Sequence, residues 1–549
     1  MSLMSPMNPM SLISPISPMS PMSLMSLISP ISPMYSSIES VNILTALLVA
    51  HGIRHAVVCP GSRNVPIVHN LNECPDITCY PVTDERSAGF YALGMAQALR
   101  QPVVVCVTSG SALLNVAPAV AEAYYQRLPL VVVSADRPRQ WIDQLDGQTL
   151  PQPDALGRFV GKAVSLPEPK DEEERWYCNR LVNEALLEIH APVHINLPIA
   201  EPLFGFTTES LPVERRIERV EPQISDIALN HLVRMFLLSK RPMLICGQPM
   251  NPNLDEAVSL VKDNDDYVPE VVLYIGGSIV SKHAKHFLRK AKEVWAVNRT
   301  GEVNDTFMNL TQVIQGDGDV VADLVRFHLE QQPHPFVKKW DELLAKVRRQ
   351  ADAYQPAYSQ MAAVKCFETS LRSPLLGRGV GEASVHYANS TAIRLANIFA
   401  RHPVCCNRGV NGIEGSLSTA AGYSCVTSEK VFCVIGDLSF FYDQNALWNQ
   451  NLKGNFRILL LNNGKGGIFN MLRGLEQSPA RDRFVAAEHH TTAEGICRQN
   501  GVDYRQATDL ATMQQGVDWL LTADSHCPLL LEVFTDATED ERVMKDYYK

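Results

Sequence analysis

The chain has 549 residues, of which 46% are hydrophobic and 20% are charged, and its formal net charge is -10 at pH 7. This length exceeds a single hydrophobic core and predicts two to four domains of a soluble globular protein. The acidic balance argues against a nucleic-acid-binding surface, which requires a basic face. The 13 cysteines include no C-x-x-C pair, which favours reduced thiols in a cytoplasmic protein over disulfides or a zinc site.

The first 34 residues form a Ser-Pro repeat that also contains Met, Leu and Ile and carries no charge. The repeated prolines prevent a continuous helix. The segment has neither the basic start of a signal peptide nor the long apolar run of a membrane span. We therefore expect residues 1–34 to be a disordered extension, the folded protein to begin near Met34, and no segment to span a membrane.

Short apolar runs that alternate with helical stretches predict three α/β units. The first unit, 35–204, contains the apolar runs HAVVCPG, QPVVVCVTSG, LPLVVVSAD and APVHINLP. The second unit, which with a linker covers 205–373, contains RPMLICGQP, EVVLYIGGS and EVWAVN. The third unit, 374–549, contains HPVCCNRG, KVFCVIGD, FRILLLNN and CPLLLEVF. We expect each unit to be a mainly parallel sheet flanked by helices, with binding residues after the strand ends.

The segment from Gly436 to Asn463 carries the strongest local signal. One apolar run ends in Gly436-Asp437 and the next ends in Asn462-Asn463. Neighbouring parallel strands would then deliver a carboxylate and an amide oxygen to one edge, and such oxygens suit Mg²⁺. The alternative interpretation is an ordinary aspartate after a strand and an Asn-Asn turn.

The same segment resembles the diphosphate-binding signature of thiamine-diphosphate enzymes, Gly-Asp-Gly followed further along by Asn-Asn, with Leu438 in place of the second glycine. The resemblance implies a metal, Mg²⁺ or Mn²⁺, held by Asp437, Asn463 and the backbone carbonyl of Lys465. It also implies that the cofactor contacts Gly436, Asp437, Leu438, Ser439 and Asn463.

The segment YPVTDERSAGFYALG predicts that Asp84, Glu85 and Arg86 end a strand and precede a helix. In thiamine-diphosphate enzymes a glutamate in this place shares a proton with the pyrimidine N1′ and so activates the cofactor. That role requires a carboxyl in an apolar pocket that raises its pKa. A solvated acidic helix start is the alternative, and the pairing with the Asp437–Asn463 signature favours Glu85 as catalytic.

Polar and basic residues follow several of the predicted strand ends or helix starts. Arginine binds carboxylates through two parallel hydrogen bonds, so the set suggests a substrate with several carboxylates. Each arginine alone could instead be a surface or capping residue. The set consists of Ser62, Arg63, Arg137, Gln148, Lys282, Ser390, Arg394, Arg408 and, beside them, the apolar Ile413.

Together the segments PGSR, TDER, TSGSALLN, SADRP, CNRGVNGIEGSLSTAAG, GDLSFFYDQNAL and NNGKGGIFNML resemble the 2-succinyl-5-enolpyruvyl-6-hydroxy-3-cyclohexene-1-carboxylate synthases of menaquinone biosynthesis. The resemblance extends from about Met34 to the C-terminus. It implies decarboxylation of 2-oxoglutarate, with thiamine diphosphate and Mg²⁺, and addition of the resulting succinyl carbanion equivalent to isochorismate. It also implies a homodimer or homotetramer with active sites between subunits.

The resemblance assigns roles residue by residue. Ser390 and Arg394 would hold a carboxylate of 2-oxoglutarate. Ile413 would bend the cofactor. The side chains that would face isochorismate or the adduct are Ser62, Arg63, Arg137, Gln148, Lys282 and Arg408. The apolar wall that would shield the carbanion is formed by Ile468, Phe469 and Leu472.

Two departures from the family pattern concern the central unit. The Lys-Arg pair of the family is Lys282-His283 here, so one fixed charge becomes titratable. The stretch SLVKDNDDYVPEVVLYIGG is also shorter than expected by about one strand and its connection, roughly 25 residues. These departures leave open a non-catalytic cofactor-binding remnant. A second alternative is another thiamine-diphosphate enzyme, such as a 2-oxo acid decarboxylase or acetolactate synthase, which the Gly-Asp-Leu-Ser run and the arginines disfavour.

Overall fold

The computed structural model describes residues 34–219, 225–247, 252–373, 383–472 and 474–549. The repeat expected to be a disordered extension lies outside the described residues, apart from Met34. The described residues form three parallel sheets flanked by helices, which confirms the expected fold class. Their strand orders are β2-β1-β3-β4-β6-β5, β10-β9-β8-β7 and β11-β12-β13-β15-β14.

The first sheet belongs to the N-terminal unit. Its strands β3 and β4 are fully buried, because helices cover both faces of a parallel sheet and both faces therefore carry apolar side chains. The elements are α1 (Glu39–Ala50), β1 (His55–Val58), α2 (Val65–Glu73), β2 (Thr78–Pro81), α3 (Glu85–Leu99), β3 (Val103–Val107), α4 (Ser111–Asn115), α5 (Ala117–Gln126), β4 (Leu130–Asp136), β5 (Lys162–Ser165), α6 (Glu172–Leu186) and β6 (Val193–Pro198).

The second sheet, in the central unit, has four strands among the described residues, and all pairs are parallel. The three apolar runs expected to be strands here form β7, β8 and β9. The elements are α7 (Asp226–Leu237), β7 (Pro242–Cys246), α8 (Leu254–Val261), β8 (Val271–Ile275), α9 (Lys282–Leu288), β9 (Glu293–Asn298), β10 (Leu310–Gln315), α10 (Gly318–Gln331) and α11 (Pro335–Ala353).

The third sheet, in the C-terminal unit, follows a further helix, α12 (Gln360–Leu371). The remaining elements are β11 (Ala383–Tyr387), α13 (Thr391–Phe399), α14 (Ser416–Cys425), β12 (Lys430–Gly436), α15 (Asp437–Tyr442), β13 (Phe456–Asn462), α16 (Glu494–Asn500), β14 (Asp503–Ala507), α17 (Leu510–Thr522), β15 (Leu529–Phe534) and α18 (Ala537–Tyr547).

One expected strand is wrong. The run HPVCCNRG contributes a single bridge between Cys405 and His386, and the edge strand is β11 instead. Pro403 cannot donate to a ladder, which limits pairing in this run.

The N- and C-terminal units pack on each other through α3 and α14. A Cβ atom placed at Gly94 would lie 1.9 Å from the carbonyl oxygen of Thr419, and one at Gly422 would lie 2.2 Å from that of Tyr91. The two helices therefore approach so closely that only glycine fits at these positions. One continuous apolar core extends from β3 in the first unit through this contact to β12 and β13 in the last.

The central unit has two apolar cores of its own, one on each face of its sheet. The helix α12, which the sequence placed in the linker, packs instead in the core of the C-terminal unit through Met361, Val364 and Phe367. Similarly, Tyr35 pairs with Thr208, so the chain just after residue 204 lies on the N-terminal unit. In the described part of the chain, no helix is long and apolar enough to cross a membrane.

Candidate active site at the strand ends

The C-terminal ends of β12 and β13 bring Asp437 and Asn463 together, as the sequence predicted. The strands pair in parallel with Gly436 beside Leu461. The Asp437 Oδ2 accepts hydrogen bonds from the backbone N–H of Asn463 at 3.1 Å and of Gly464 at 2.9 Å. The carboxylate is therefore buried and held at the sheet edge, at the start of α15.

The donor set at this edge suits a hard divalent cation. The Asn463 Nδ2 donates to Asp540 Oδ2 at 2.9 Å. This hydrogen bond fixes the orientation of the amide, so that the amide oxygen faces the loop that follows Asn463. The Lys465 side chain pairs with Asp482 at 3.5 Å, so the backbone carbonyl is what this residue could give to a metal. A carboxylate, an amide oxygen and a carbonyl are ligands of the kind Mg²⁺ takes, with phosphates and water completing the shell.

Space for a phosphate is present beside these oxygens. A Cβ atom at Gly436 would meet no atom within 4 Å. Leu438 and Ser439 follow in the first turn of α15, where helix backbone N–H groups attract anions. The residues present therefore fit a diphosphate with its metal ion.

Sequence reasoning missed His489 at this edge. Its Nε2 lies 3.5 Å from Asp437 Oδ2 and has no hydrogen-bond partner among the described residues. Its backbone N–H donates to Gly464 at 2.7 Å, and its ring packs against Phe441. The sequence separation from Asp437 follows no metal-binding spacing, so only the fold could reveal this neighbour.

Glu85 is the first residue of α3 rather than the end of a strand. The residues on either side of Glu85 hold the start of α3 against the C-terminal unit. Asp84 accepts from Asn445 Nδ2 at 2.6 Å, and Arg86 donates to the carbonyl of Tyr442, the last residue of α15, at 2.7 Å. Glu85 itself accepts from Asn115 Nδ2 at 3.1 Å and is half-buried. The apolar enclosure expected of it is therefore incomplete in a single chain.

A first group of predicted substrate residues lies in the N-terminal unit. Arg63 is buried, donates to the carbonyl of Ile199 at 2.9 Å and pairs with Glu201 at 3.3 Å. Arg137 lies 3.9 Å from the same carboxylate. Burial and the neighbouring Arg137 lower the pKa of Arg63, and Glu201 opposes that shift.

Ser62 and Gln148 accompany this first group. Ser62 is exposed beside Arg63. Gln148 adopts a left-handed backbone conformation (φ 55°), next to Gly147, whose carbonyl accepts from Arg137.

A second group lines a cavity of about 430 Å³ between the central and C-terminal units. It contains three of the predicted residues, Lys282, Arg394 and Ile468. Ser390, with φ 74°, precedes the helix α13 that carries Arg394. Further residues around the cavity are Asp255, Val280, Ser281, His283, Thr391, Asn397, Ile398, Met544, Lys545 and Tyr548.

Arg408 belongs to the same side of the C-terminal unit. Its Nη1 donates to Asn389 Oδ1 at 3.0 Å, whereas its buried Nε has no hydrogen-bond partner in the part of the chain that the structure describes. Burial lowers the pKa of Arg408, the Glu122 carboxylate opposes that shift, and Arg394 contributes to it.

Glu122 is a second residue that sequence reasoning missed. It lies on α5, is buried, and accepts from the backbone N–H of Gly409 at 2.7 Å and of Val410 at 2.6 Å. One carboxylate of the N-terminal unit therefore fixes the loop that carries Arg408 and Ile413. A glutamate within an alanine-rich helix gives no sequence signal for this role.

The two groups of substrate residues remain apart in the described chain, where no hydrogen bond or ion pair joins them. Apolar residues expected to enclose the cofactor and substrate are also open: Ile413 is 40% and Leu472 is 47% exposed, and Phe469 is half-buried. A single chain thus presents parts of a site rather than a closed one.

Comparison with known proteins identifies the family. Residues 39–156 match the N-terminal TPP-binding domain of thiamine pyrophosphate enzymes. Three relatives named 2-succinyl-5-enolpyruvyl-6-hydroxy-3-cyclohexene-1-carboxylate synthase align with 94% of this chain: those of Bacteroides fragilis (43% identical, 99% of its length), Flavobacterium johnsoniae (34%, 99%) and Porphyromonas gingivalis (32%, 97%).

The alignment with the Bacteroides fragilis protein is 565 residues long, whereas 94% of this chain is about 516 residues, so about 50 aligned positions have no residue here. The aligned part of this chain thus lacks residues that the relative has, and the placement of the loss in the central unit stays a prediction. Full-length similarity at this identity nevertheless shows the relationship. The chain belongs to the family of 2-succinyl-5-enolpyruvyl-6-hydroxy-3-cyclohexene-1-carboxylate synthases, which are thiamine-diphosphate-dependent enzymes.

Proposed function

We propose that this chain catalyses the decarboxylation of 2-oxoglutarate and the addition of the succinyl unit to isochorismate, forming 2-succinyl-5-enolpyruvyl-6-hydroxy-3-cyclohexene-1-carboxylate and CO₂. The observation that carries this proposal is the pairing of Asp437 with the Asn463–Gly464 backbone at one sheet edge, in a chain that belongs to this family. The reaction is a step of menaquinone biosynthesis.

Thiamine diphosphate, when bound, supplies the carbon centre that attacks the 2-oxo group and holds the electron pair released with CO₂. The residues that would hold its diphosphate are Gly436, Leu438 and Ser439 at the start of α15. Asp437, Asn463 and the Lys465 carbonyl would hold Mg²⁺ or Mn²⁺ between protein and diphosphate. The hydrogen bond from Asn463 to Asp540 supports this assignment because it orients the amide.

Glu85 would hold a proton at the pyrimidine N1′ of the cofactor. The contacts of Asp84 and Arg86 with the segment after α15 fix the start of α3 without using the Glu85 carboxylate. The amide of Asn115 would orient that carboxylate and leave one oxygen for the proton. A general acid–base group placed in this way contributes roughly 10²–10⁴-fold to rate.

The polar and basic residues would divide between the two substrates. Arg394 and Ser390 would bind a carboxylate of 2-oxoglutarate at the cavity. Lys282 and Arg408 would face isochorismate, together with the group in the N-terminal unit, Ser62, Arg63, Arg137 and Gln148. The apolar residues Ile468, Phe469 and Leu472 would exclude water from the developing carbanion, and Ile413 would support the bent cofactor.

A homodimer or a homotetramer would complete the site. The exposure of Ile413 and Leu472, the incomplete enclosure of Glu85 and the separation of the two substrate groups support a site closed by a second copy. In this arrangement Glu85 of one chain would serve the diphosphate edge of its partner.

The test is a coupled product assay. Purified protein would be incubated with thiamine diphosphate, Mg²⁺, 2-oxoglutarate and isochorismate, and the adduct and CO₂ would be measured by mass spectrometry and gas release. We expect both in equal amounts. Release of CO₂ without adduct would indicate a simple decarboxylase, and equal use of pyruvate would contradict the assignment of the Arg394 pocket. Absence of both products with tight cofactor binding would indicate the non-catalytic remnant.

A further inference from the structure

His489 lies in a segment that runs against the loop after β13. Its backbone N–H donates to the carbonyl of Gly464 at 2.7 Å, and the backbone N–H of Gly466 donates to the carbonyl of Ala486 at 2.7 Å. Its ring packs edge-to-face with Phe441 on α15, with 5.3 Å between the ring centroids. These contacts hold the imidazole at the sheet edge of the candidate metal site, where 16% of the side chain is exposed.

A local hydrogen bond fixes which nitrogen of the His489 ring carries the proton. The Nδ1 atom accepts from the backbone N–H of Thr491 at 3.1 Å. A neutral imidazole has one acceptor nitrogen and one donor nitrogen, so Nδ1 carries no proton here and Nε2 does. The Nε2–H group is therefore a hydrogen-bond donor, held in one orientation.

This buried donor has no acceptor among the residues that the structure describes. The Asp437 Oδ2 lies 3.5 Å from Nε2, which is longer than a normal hydrogen bond. That oxygen already accepts from the backbone N–H groups of Asn463 and Gly464, and a carboxylate oxygen accepts about two hydrogen bonds. A buried N–H without an acceptor lowers stability, and the oxygen of a bound anion would remove that cost.

A phosphate oxygen is the ligand that suits this donor. Gly436 lies beside Asp437, and a Cβ atom there would meet no atom within 4 Å, so an anion can approach the sheet edge. A metal ion cannot use the donor, because a cation does not accept a hydrogen bond. A phosphate oxygen does accept one, and a hydrogen bond with an ionised partner is roughly twice as strong as one between neutral groups.

We propose that His489 is a cofactor-binding residue whose Nε2–H donates a hydrogen bond to the diphosphate of thiamine diphosphate. This inference rests on the cofactor site of the proposed function and on neither of the two substrates. His489 adds a side-chain donor to the residues that would hold the diphosphate, and it does so without being a ligand of the metal.

Calorimetric titration of the protein with thiamine diphosphate in the presence of Mg²⁺ tests this inference. His489→Leu keeps an apolar side chain against Phe441 but removes the donor. We expect the Kd for thiamine diphosphate to rise about 10- to 100-fold, because a charged group loses a hydrogen bond. His489→Gln has a side-chain N–H donor and should restore most of the affinity.

The two variants and one control separate hydrogen bonding from packing. If the ring of His489 only packed against Phe441, the polar His489→Gln would bind the cofactor more weakly than His489→Leu, which is the reverse of the expected order. His490→Leu is the matched control, because the neighbouring His490 is exposed, and it should leave the Kd unchanged. Melting temperatures without cofactor show whether each variant is folded, and His489→Ala replaces His489→Leu if the latter is not.

The inference is overturned if His489→Leu binds thiamine diphosphate as tightly as the unsubstituted protein, or if His489→Gln binds it no better than His489→Leu. An equal loss in His490→Leu also overturns it. The titration measures cofactor binding alone, so a protein that binds thiamine diphosphate but forms no product contradicts the proposed reaction, while the order of the variants still decides the role of His489. If the unsubstituted protein bound no thiamine diphosphate, both proposals would be wrong.

Discussion

The terminal units and the central unit differ in how they use their apolar side chains. The N- and C-terminal units share one core that continues through the glycine contact of α3 and α14. The central unit keeps two cores to itself, one on each face of a four-stranded sheet in the described residues. We therefore expect the two terminal units to behave as one body, and the central unit to tolerate changes with less effect on them.

The units also differ in the candidate functional residues that they position. The sheet edge with Asp437 and Asn463, the loop held by Glu122 and the start of α3 all depend on the shared core. The central unit contributes cations on α9 to a cavity at its margin. If the residues missing from the aligned part of this chain fall in the central unit, we expect their loss to alter substrate affinity more than cofactor chemistry.

The largest expected effects come from the residues that the shared core positions. Glu85→Gln should still bind thiamine diphosphate but should slow proton exchange at the cofactor C2 by about 10²–10⁴-fold. Exchange would be followed by NMR in deuterated water. Exchange at the normal rate would show that another group activates the ring.

Asp437→Ala should instead abolish cofactor binding, since it removes the proposed metal ligand and the acceptor for the Asn463 and Gly464 backbone. Calorimetric titration with thiamine diphosphate and Mg²⁺ would measure this loss. Manganese titration followed by electron paramagnetic resonance gives a readout that is independent of activity. Unaltered metal affinity would place the metal elsewhere.

A matched pair of core leucines tests whether the units are separate. Leu460 is fully buried in the shared core and Leu288 is buried in a central core. Each change to alanine should lower the free energy of unfolding of the unit that contains it by about 2–5 kcal/mol. Leu460→Ala should weaken cofactor binding as well, whereas Leu288→Ala should lower only an early unfolding transition. Differential scanning calorimetry with and without cofactor would record both, and one common transition would contradict the comparison.

The glycine contact between the terminal units offers a finer test. Gly94→Ala places a methyl group against the backbone of Thr419, so α3 and α14 would have to move apart. We expect a loss of about 1–3 kcal/mol in the free energy of unfolding, as for other overpacked sites. Gly495→Ala is the control, because a Cβ there meets no atom within 4 Å. Equal stabilities of the two variants in urea denaturation would contradict tight packing.

The sequence predicted the parallel-sheet units and the proximity of Asp437 and Asn463. Both could be predicted because apolar runs, and the polar residues that end them, are visible in short stretches of sequence. It did not predict strands such as β11 and β14, whose residues ASVHY and DYRQA mix polar and apolar side chains at or near a sheet edge. It also missed Glu122 and His489, whose partners are distant in sequence. Contacts of this kind follow from how whole units pack, which no short motif records.

The position of α12 illustrates the same limit and provides the last test. The sequence assigned this helix to a linker, yet its Glu368 is fully buried in the C-terminal unit. The Glu368 carboxylate accepts from the Tyr387 hydroxyl at 2.6 Å and from His402 Nε2 at 3.1 Å. These hydrogen bonds connect α12 to β11 and to the segment that follows α13.

The ion pair of His402 with Glu368 should make this tie depend on pH. Burial and the nearby Arg372 would lower the pKa of His402, but the hydrogen bond and charge of Glu368 outweigh them and raise it. A raised folded-state pKa means that the contribution is complete below about pH 6.5 and is lost as the pH rises through the folded value. We expect a loss of about 1 kcal/mol between pH 6 and 8.5, because the pair is partly exposed to water. His402→Gln keeps a hydrogen-bond donor without the charge. The free energy of unfolding of this variant, measured in urea, should therefore vary less over this pH range than that of the unsubstituted protein. Equal pH dependence in both proteins would show that the charge of His402 does not hold α12.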